Sequence, residues 1–213
     1  MPRGKSAVAA ARPRRAGEHR ASADVRERIL EATFAVAREH GYSGTTIAKV
    51  STASDLPVGS VYWHFENKDQ LLAAAIEFGH HRWLVSDPSP EPMDGEDFET
   101  YVRRIFGEDH EVNPYFEDFW RIGATLLLEK SLKEHAAYDR FRQIRAEVRA
   151  QWTAWFGQVL PRTVPNRDHL ADRLAGFVMA ASDGVRMARA GEEDTADLPR
   201  MLGLSLLALV KTG

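Results

Sequence analysis

The chain has 213 residues, a formal net charge of −3 and no cysteine. Without cysteine it can form neither a disulfide framework nor a metal site with thiolate ligands. Its longest apolar run, 202–210, is far shorter than the roughly 18 residues that a membrane span needs, and its basic N-terminus lacks the apolar segment of a signal peptide. We therefore expect a soluble, cytoplasmic protein.

The first 23 residues are basic, although the whole chain is acidic. They carry six arginine and lysine residues against one glutamate, which leaves the remainder at −8. Because this stretch is rich in Ala, Pro and Arg and has little to bury, we expect 1–23 to be a disordered basic arm. Such an arm suits the phosphates or the minor groove of DNA, and the alternative is a solubilising tail.

An amphipathic helix is predicted after the arm. Apolar side chains from Val25 to Ala37 follow the 3.6-residue spacing of a helix with one buried face. Gly41 is predicted to end this helix, and Tyr42 stands where an apolar contact follows a glycine cap.

The next stretch, 45–68, predicts a very short helix and a sharp turn. Ile47, Val50 and Ala53 repeat every three residues, which is typical of one face of a short helix. Thr45 is a suitable N-cap residue for it.

A second short helix is predicted after the turn. Asp55 tolerates the left-handed conformation that a tight turn needs, and Pro57 can open a helix that runs over 58–65. A helix of barely two turns is not stable alone, so a scaffold must hold it with its outer face free. This is the layout of a helix-turn-helix whose second helix enters the major groove of DNA.

A longer helix is predicted from Lys68 to about Leu84. Asn67 and Gln70 have the spacing of a capping box at its start. The helix dipole disfavours a cation in the first turn, so Lys68 makes more sense beside a phosphate. The alternative is a solvated surface lysine.

These residues, taken in order, resemble the DNA-binding domain of the tetracycline-repressor (TetR) family over about residues 24–72. The resemblance rests on Ile29, Leu30, Gly41, Tyr42, Thr45, Thr46, Gly59, Ser60, Val61, Tyr62, Trp63, His64, Phe65, Lys68 and Leu71. Ser51 and Asp55 depart from the usual Ala and Gly of the family, so we expect a slightly altered turn. The resemblance implies an all-α homodimer with an N-terminal DNA-binding domain and a C-terminal domain for small molecules.

The resemblance also implies a set of residues that face double-stranded DNA. They are Thr45, Thr46, Pro57, Val58, Gly59, Ser60, Tyr62, Trp63, His64 and Lys68. Val58, Gly59 and Ser60 would lie against base edges, and most of the others against phosphates or the groove wall. We further expect Tyr62 to pack its ring under the short helix and to place its hydroxyl on a phosphate.

Five more helices are predicted after a proline-rich loop. Their approximate ranges are 97–106, 114–132, 134–160, 170–188 and 197–211. No stretch shows the alternation of a strand, so the fold is predicted to be all-α with about nine helices. The predicted domains are a helix-turn-helix domain over 24–70 and a ligand-binding and dimerisation domain over 71–213.

The last two helices are apolar on more than one side, so each needs a second packing partner. Two copies could form a four-helix interface with two-fold symmetry through 167–212. The residues assigned to it are Leu174, Val178, Leu198, Leu202 and Leu206. The alternative is burial within a single chain.

The C-terminal helices are rich in large aromatic side chains, which commonly line pockets for bulky apolar ligands. The residues assigned to such a pocket are Trp83, Phe116, Trp120, Trp152 and Phe177. The alternative is ordinary core. Glu117 or Asp183 could favour a cationic group on the ligand.

No catalytic constellation, phosphate loop or dinucleotide fingerprint is present. His80 and His81 are adjacent, so on a helix they point about 100° apart and cannot hold one ion together. We expect no enzyme activity, no cofactor and no metal. The favoured function is a ligand-responsive repressor that binds a palindromic operator as a dimer. The alternatives are a regulator without effector, or a helical ligand-binding protein or enzyme whose helix-turn-helix is only structural.

Overall fold

The computed structural model describes residues 16–86, 90–107, 114–129 and 135–212, and these contain nine α-helices and no strand. The helices are α1 (Ala16–Gly44), α2 (Ile47–Ser54), α3 (Val58–His64), α4 (Lys68–Ser86), α5 (Phe98–Phe106), α6 (Pro114–Leu128), α7 (Ala136–Val159), α8 (Arg167–Ala190) and α9 (Leu198–Thr212). The predicted all-α fold of about nine helices is confirmed. No helix in these ranges has both the length and the apolar character to cross a membrane.

The predicted disordered arm is partly wrong. Residues 1–15 lie outside the described part of the chain, but 16–23 belong to α1. The segment contains no proline and directly precedes the helical stretch 25–37. Adding residues to an existing helix costs far less than nucleating one, so α1 extends backward through them.

Gly41 ends the regular part of α1, as predicted. Its φ of 68° and ψ of −178° leave the helical region and turn the chain toward α2. Tyr42 is buried directly after this turn. The hydroxyl of Thr45 donates to the Gly41 carbonyl at 2.7 Å.

The N-cap of α2 is Thr46, not the predicted Thr45. The Thr46 hydroxyl accepts a hydrogen bond from the Lys49 amide at 3.2 Å. Thr45 cannot cap the helix because its side chain is fully buried and its hydroxyl is committed to the preceding turn.

The turn between α2 and α3 uses the two residues that depart from the family pattern. Asp55 adopts the left-handed conformation, with φ 53° and ψ 44°. The Ser51 hydroxyl donates to the Leu56 carbonyl at 2.6 Å and so adds a hydrogen bond across the turn. The chain therefore makes the turn with these two residues in place.

Three apolar clusters hold the helices together. The N-terminal cluster packs α1, α2, α3 and the start of α4, and Val61 and Phe65 are the buried anchors of α3 in it. A central cluster packs α1, α4, α6 and the first half of α7. A distal cluster packs α5, α8, α9 and the second half of α7.

Helix α4 belongs to two of these clusters. Leu71 and Ala75 lie in the N-terminal cluster, and Leu72 and Ile76 lie in the central cluster. The domain boundary predicted at residue 70 therefore falls at the start of a continuous helix that spans both units.

We predict that Asp55→Gly raises the free energy of unfolding by about 1 kcal/mol, because glycine adopts the left-handed conformation without the steric cost of a Cβ. Asp55→Ala should lower it. Urea denaturation of the three proteins at one protein concentration measures both changes. A glycine variant less stable than the wild type would mean that the Asp55 side chain contributes more than its conformation costs.

Candidate nucleic-acid interface

Helix α3 presents one face to solvent and is anchored by the other. Val58, Tyr62 and Trp63 are 42%, 54% and 64% exposed, whereas Val61 and Phe65 are buried. The expectation that the Tyr62 ring packs under the helix is wrong, because the anchor residues already occupy that side. Tyr62 and Trp63 instead form an exposed aromatic edge.

Gly59 lies on the outer face of α3, in its first turn. A Cβ at this position would meet no heavy atom within 4 Å. The fold itself therefore does not require glycine here. The missing side chain leaves room for a partner to approach the backbone closely.

An open cleft of about 470 Å³ separates the N-terminal half of α1 from α3. Its lining residues are Ser22, Val25, Gly59, Ser60, Trp63 and His64. The rings of Trp63 and His64 meet edge to face at 4.6 Å between centroids. Burial, and then the nearby Arg26, lower the pKa of His64, so this ring is neutral at pH 7. The cleft thus has an uncharged aromatic wall.

Two lysines flank the segment that links α1 to α2. Lys68 Nζ donates to the Ser43 carbonyl at 3.3 Å and lies 4.9 Å from the centre of the Tyr42 ring. Lys49 Nζ donates to the Gly44 carbonyl at 3.0 Å. Partial burial lowers the pKa of Lys68, because desolvation disfavours the charged ammonium. Each ammonium retains donors beyond the one used here.

The sequence reasoning missed three cations of this region. Besides Lys49, these are Arg28, whose guanidinium donates to the Ser54 carbonyl at 2.8 Å, and Arg26, which lies 5.3 Å from the centre of the Phe65 ring. The two arginines are on the polar side of α1. Only the packing of α1 on α2 and α3 brings them beside the turn, so residue spacing gave no signal for them.

Nine of the ten residues predicted to face DNA lie on this surface. Thr46, Pro57, Val58, Gly59, Tyr62 and Trp63 are exposed, and Ser60, His64 and Lys68 are partly exposed. Thr45 is the exception. Its side chain is fully buried, so it supports the turn and cannot contact a ligand.

The five aromatic residues predicted to share one pocket do not converge. Trp83 and Phe116 are in contact, with 4.3 Å between ring centroids. Trp152 instead packs in the distal cluster, 5.9 Å from the Phe106 ring, and Phe177 is exposed on α8. The prediction is wrong for these two because α7 is long enough to cross two clusters and because Phe177 faces outward.

The carboxylates expected to favour a cationic ligand are already paired. Asp183 accepts from Trp120 Nε1 at 2.8 Å and from Arg145 Nη2 at 2.6 Å. Glu117 accepts from Arg189 Nη1 at 2.6 Å. Neither carboxylate is available to a ligand without breaking an ion pair, so this expectation is wrong.

Arg186 lies beside these ion pairs but makes no short ion pair with either carboxylate. Its guanidinium carbon is 3.9 Å from the centre of the Phe116 ring, and its Nη1 donates to the Ser182 carbonyl at 2.8 Å. Its Nε is buried without a hydrogen-bond partner, and the nearest carboxylate oxygen, on Glu117, is 3.8 Å away. Burial lowers its pKa to about 10, which leaves it protonated at neutral pH.

A second buried atom without a partner lies nearby on α4. His80 is buried, and its Nε2 has no hydrogen-bond partner. Its ring lies 5.5 Å from that of Trp83 and 5.7 Å from that of Phe119. Burial lowers the pKa of His80, so its ring is neutral at pH 7. In the described part of the chain, no three His, Asp or Glu side chains gather as metal ligands.

Most residues assigned to a dimer interface are buried within their own chain. Leu174, Val178, Leu202 and Leu206 belong to the distal cluster, and Leu198 is partly exposed. The assignment is wrong for the four buried residues because periodicity cannot tell which of two apolar sides a helix turns inward. The exposed apolar residues of α8 and α9 include Phe177, Met187, Met201, Leu204 and Leu209.

Comparison with known sequences gives matches to the N-terminal part of the chain. Residues 29–75 match the profile described as "Bacterial regulatory proteins, tetR family". The chain is 41% identical over 47 residues to the Escherichia coli (strain K12) protein named "Probable acrEF/envCD operon repressor". That match covers 22% of this chain and 21% of the relative. The chain thus spans only about a fifth of the length of this curated relative.

Comparison with solved structures extends to most of the chain. A TetR transcription regulator from Haloarcula marismortui superposes with a TM-score of 0.61 at 20% identity, over 89% of this chain and 98% of the other. A multidrug binding protein, EbrR, in complex with malachite green superposes with a TM-score of 0.57 at 20% identity, over 87% of this chain and 97% of the other. At these identities the likeness establishes a shared fold.

We predict that Gly59→Ala weakens binding to duplex DNA by more than about tenfold, because the added methyl group occupies the space needed for close approach. Its thermal stability should be unchanged or slightly higher, since alanine favours the helix. Gly157→Ala is the matched control, because a Cβ there also meets no heavy atom within 4 Å, but on α7. Gel-shift titrations and thermal melts measure both effects. Full DNA affinity in the Gly59 variant would remove this face of α3 from the interface.

Proposed function

We propose that this chain, whose N-terminal domain is that of the bacterial tetR regulatory family, is a ligand-responsive transcriptional repressor. It acts as a homodimer on a near-palindromic operator, and a small molecule bound in the C-terminal helices releases it. The observation that carries the proposal is the outer face of α3. A short helix with two buried anchors, an exposed glycine and an exposed aromatic edge suits insertion into a major groove.

The surroundings of α3 supply the contacts that position such a helix. Thr46 is exposed at the start of α2, and Lys49 and Lys68 lie at the two sides of the α1–α2 link. Cations and hydroxyl groups placed around a recognition helix bind phosphates and fix its register. Thr46 and Lys68 hold phosphates in this proposal, and Val58, Gly59 and Ser60 face base edges.

The outer faces of α8 and α9 support a homodimer. Ala180 and Gly184 are exposed between Phe177 and Met187, at a spacing that places all four along one side of α8. Small residues between two large apolar ones let a second helix approach closely. Leu204 is exposed on α9, which packs against α8. This strip replaces the buried leucines as the dimer interface, and two-fold pairing through it presents two copies of α3 to one operator.

Helix α4 supports communication between the ligand and the DNA. Its first half packs in the N-terminal cluster and its second half carries His80 and Trp83 beside α6. A ligand that binds more tightly when this second half is displaced would also displace the first half. Such a difference in affinity between two states is what couples the two sites.

The test is selection of operator DNA from a random duplex library, followed by titration of the selected sequence at several salt concentrations. We expect a near-palindromic site and an affinity that falls steeply with salt, because phosphate contacts release counterions. Lys68→Ala should weaken binding to all sequences alike and reduce the salt slope by about 2, one for each subunit. Lys211→Ala, on the distant helix α9, is the control. The absence of any enriched sequence would overturn the proposal, and an unchanged slope would exclude Lys68 alone.

We predict that Phe177→Glu combined with Leu204→Glu weakens the dimer at least a hundredfold, which corresponds to about 2.7 kcal/mol, because it buries unpaired charges in an apolar interface. The subunit should stay folded, since both side chains are exposed. Leu128→Glu is the matched control, because Leu128 is 74% exposed at the end of α6. Sedimentation velocity gives the assembly state, and circular dichroism the folding. A double variant that remains dimeric would exclude this strip.

A further inference from the structure

We propose that the contact between α4, α6 and α8 binds a planar aromatic anion. The site consists of the rings of Trp83, Phe116 and Phe119, with His80 on one side and Arg186 on the other. The inference rests on the proposed function only in treating this ligand as the effector.

The three rings form one aromatic group. Their centroids are 4.3 Å apart for Trp83 and Phe116, 6.2 Å for Trp83 and Phe119, and 6.3 Å for Phe116 and Phe119. Trp83 comes from α4, and Phe116 and Phe119 come from α6. A flat ring entering between the two helices would find aromatic faces on both sides, which favours an aromatic body for the ligand.

The charge around Arg186 favours an anion. Three guanidinium groups, those of Arg145, Arg186 and Arg189, face two carboxylates, those of Glu117 and Asp183. The two carboxylates make their short ion pairs with the other two arginines, which leaves Arg186 with the weakest pairing. Its side chain is only 17% exposed, so its charge is costly to bury without a close partner. A carboxylate or sulfonate on the ligand would supply that partner.

The unsatisfied donor gives the anion a defined position. The Nε–H of Arg186 is buried without a hydrogen-bond partner, while its guanidinium carbon lies over the Phe116 ring. An anion placed at that edge would accept a charge-assisted hydrogen bond and would lie beside the face of the ring. The ring and the donor therefore recognise two parts of one molecule, an aromatic body and its anionic group.

His80 adds a polar contact on the α4 side. Its Nε2 also lacks a partner, next to Trp83 and Phe119. The two carboxylates that act electrostatically on this ring, those of Glu77 and Glu147, form ion pairs with Arg140. In a neutral imidazole Nε2 either donates or accepts one hydrogen bond, depending on the tautomer, so it suits a hydroxyl or carbonyl group on the ligand.

Occupation of this site would act on the helix that reaches the DNA-binding domain. Trp83 and Phe116 touch each other, so a ligand ring between them must separate α4 from α6. The start of α4 is packed in the N-terminal cluster through Leu71 and Ala75. The same movement would therefore reorient α3, which is anchored in that cluster.

Three naphthalene compounds that differ in charge test the site: 2-naphthoate, 2-naphthamide and 2-naphthylmethylammonium. Isothermal titration calorimetry with the full-length wild-type protein should give the tightest binding for the anion and the weakest for the cation. A charge-assisted hydrogen bond favours the anion over the neutral amide by about tenfold or more. Equal binding of anion and amide, tighter binding of the cation, or no binding of any of the three would overturn the inference.

Substitution of Arg186 tests whether this residue causes the preference for the anion. In Arg186→Gln, the affinity for the anion should fall to within about twofold of the affinity for the amide, which should itself be unchanged. The reason is that a tenfold preference corresponds to the free energy of about one charge-assisted hydrogen bond. Arg149→Gln is the matched control, since it removes an arginine that pairs with Asp172 on the exposed α7–α8 surface. An undiminished preference in the Arg186 variant would overturn the assignment. Should that variant fail to fold by circular dichroism, Phe116→Leu tests the aromatic part of the site instead. All three compounds should then bind more weakly by the same factor, and unchanged binding of all three would overturn the inference.

The two proposals fail in different ways. If the anion preference and its loss in the Arg186 variant are found but the protein selects no DNA, the site stands and the proposed function falls. If operator DNA is selected but no charge preference is seen, the inference falls alone. If both hold, 2-naphthoate should release the operator in the concentration range in which it binds, and release by the cation instead would overturn the inference.

Discussion

The structure depends on the packing of α1 and α4, the two helices that are buried in both the N-terminal and the central apolar cluster. Helix α4 fills the N-terminal cluster with Leu71 and Ala75, and one residue further on it fills the central cluster with Leu72 and Ile76. Adjacent positions on a helix point about 100° apart, so a single helix can serve two cores on different sides. Because α4 contributes buried side chains to both cores, a displacement of α4 would affect the packing of both.

The two ends of α4 differ in how completely their polar side chains are hydrogen-bonded. At its start, Asp69 accepts a hydrogen bond from the Tyr42 hydroxyl at 2.9 Å and another from the Ala136 amide at 2.9 Å, so it ties the end of α1 to the start of α7. At its other end, Trp83 and the unpaired His80 face α6. The start of α4 is thus held by two side-chain hydrogen bonds, whereas its second half contains a buried ring nitrogen without a hydrogen-bond partner.

The helices and turns of the candidate nucleic-acid interface could be predicted well from the sequence. Helix signals there are local: Gly41 in a left-handed turn, Asp55 in another, and apolar anchors at fixed spacing around an exposed glycine. One detail of this region, the N-cap of α2, was predicted wrongly. Two adjacent threonines are equally good caps by type, and only the packing of the preceding turn buries Thr45 and leaves Thr46 to cap α2.

The sequence by itself determined the all-α fold, the helix-turn-helix and the chemistry of its outer face, because these follow from periodicity and from residues with restricted backbone conformations. Only the tertiary structure decided which apolar sides of α8 and α9 are buried, since both sides of those helices are apolar. It also decided that Trp152 lies apart from Trp83, and that Glu117 and Asp183 are neutralised by arginines of α7 and α8. Contacts between distant helices depend on how those helices cross, and residue spacing along one helix carries no record of that.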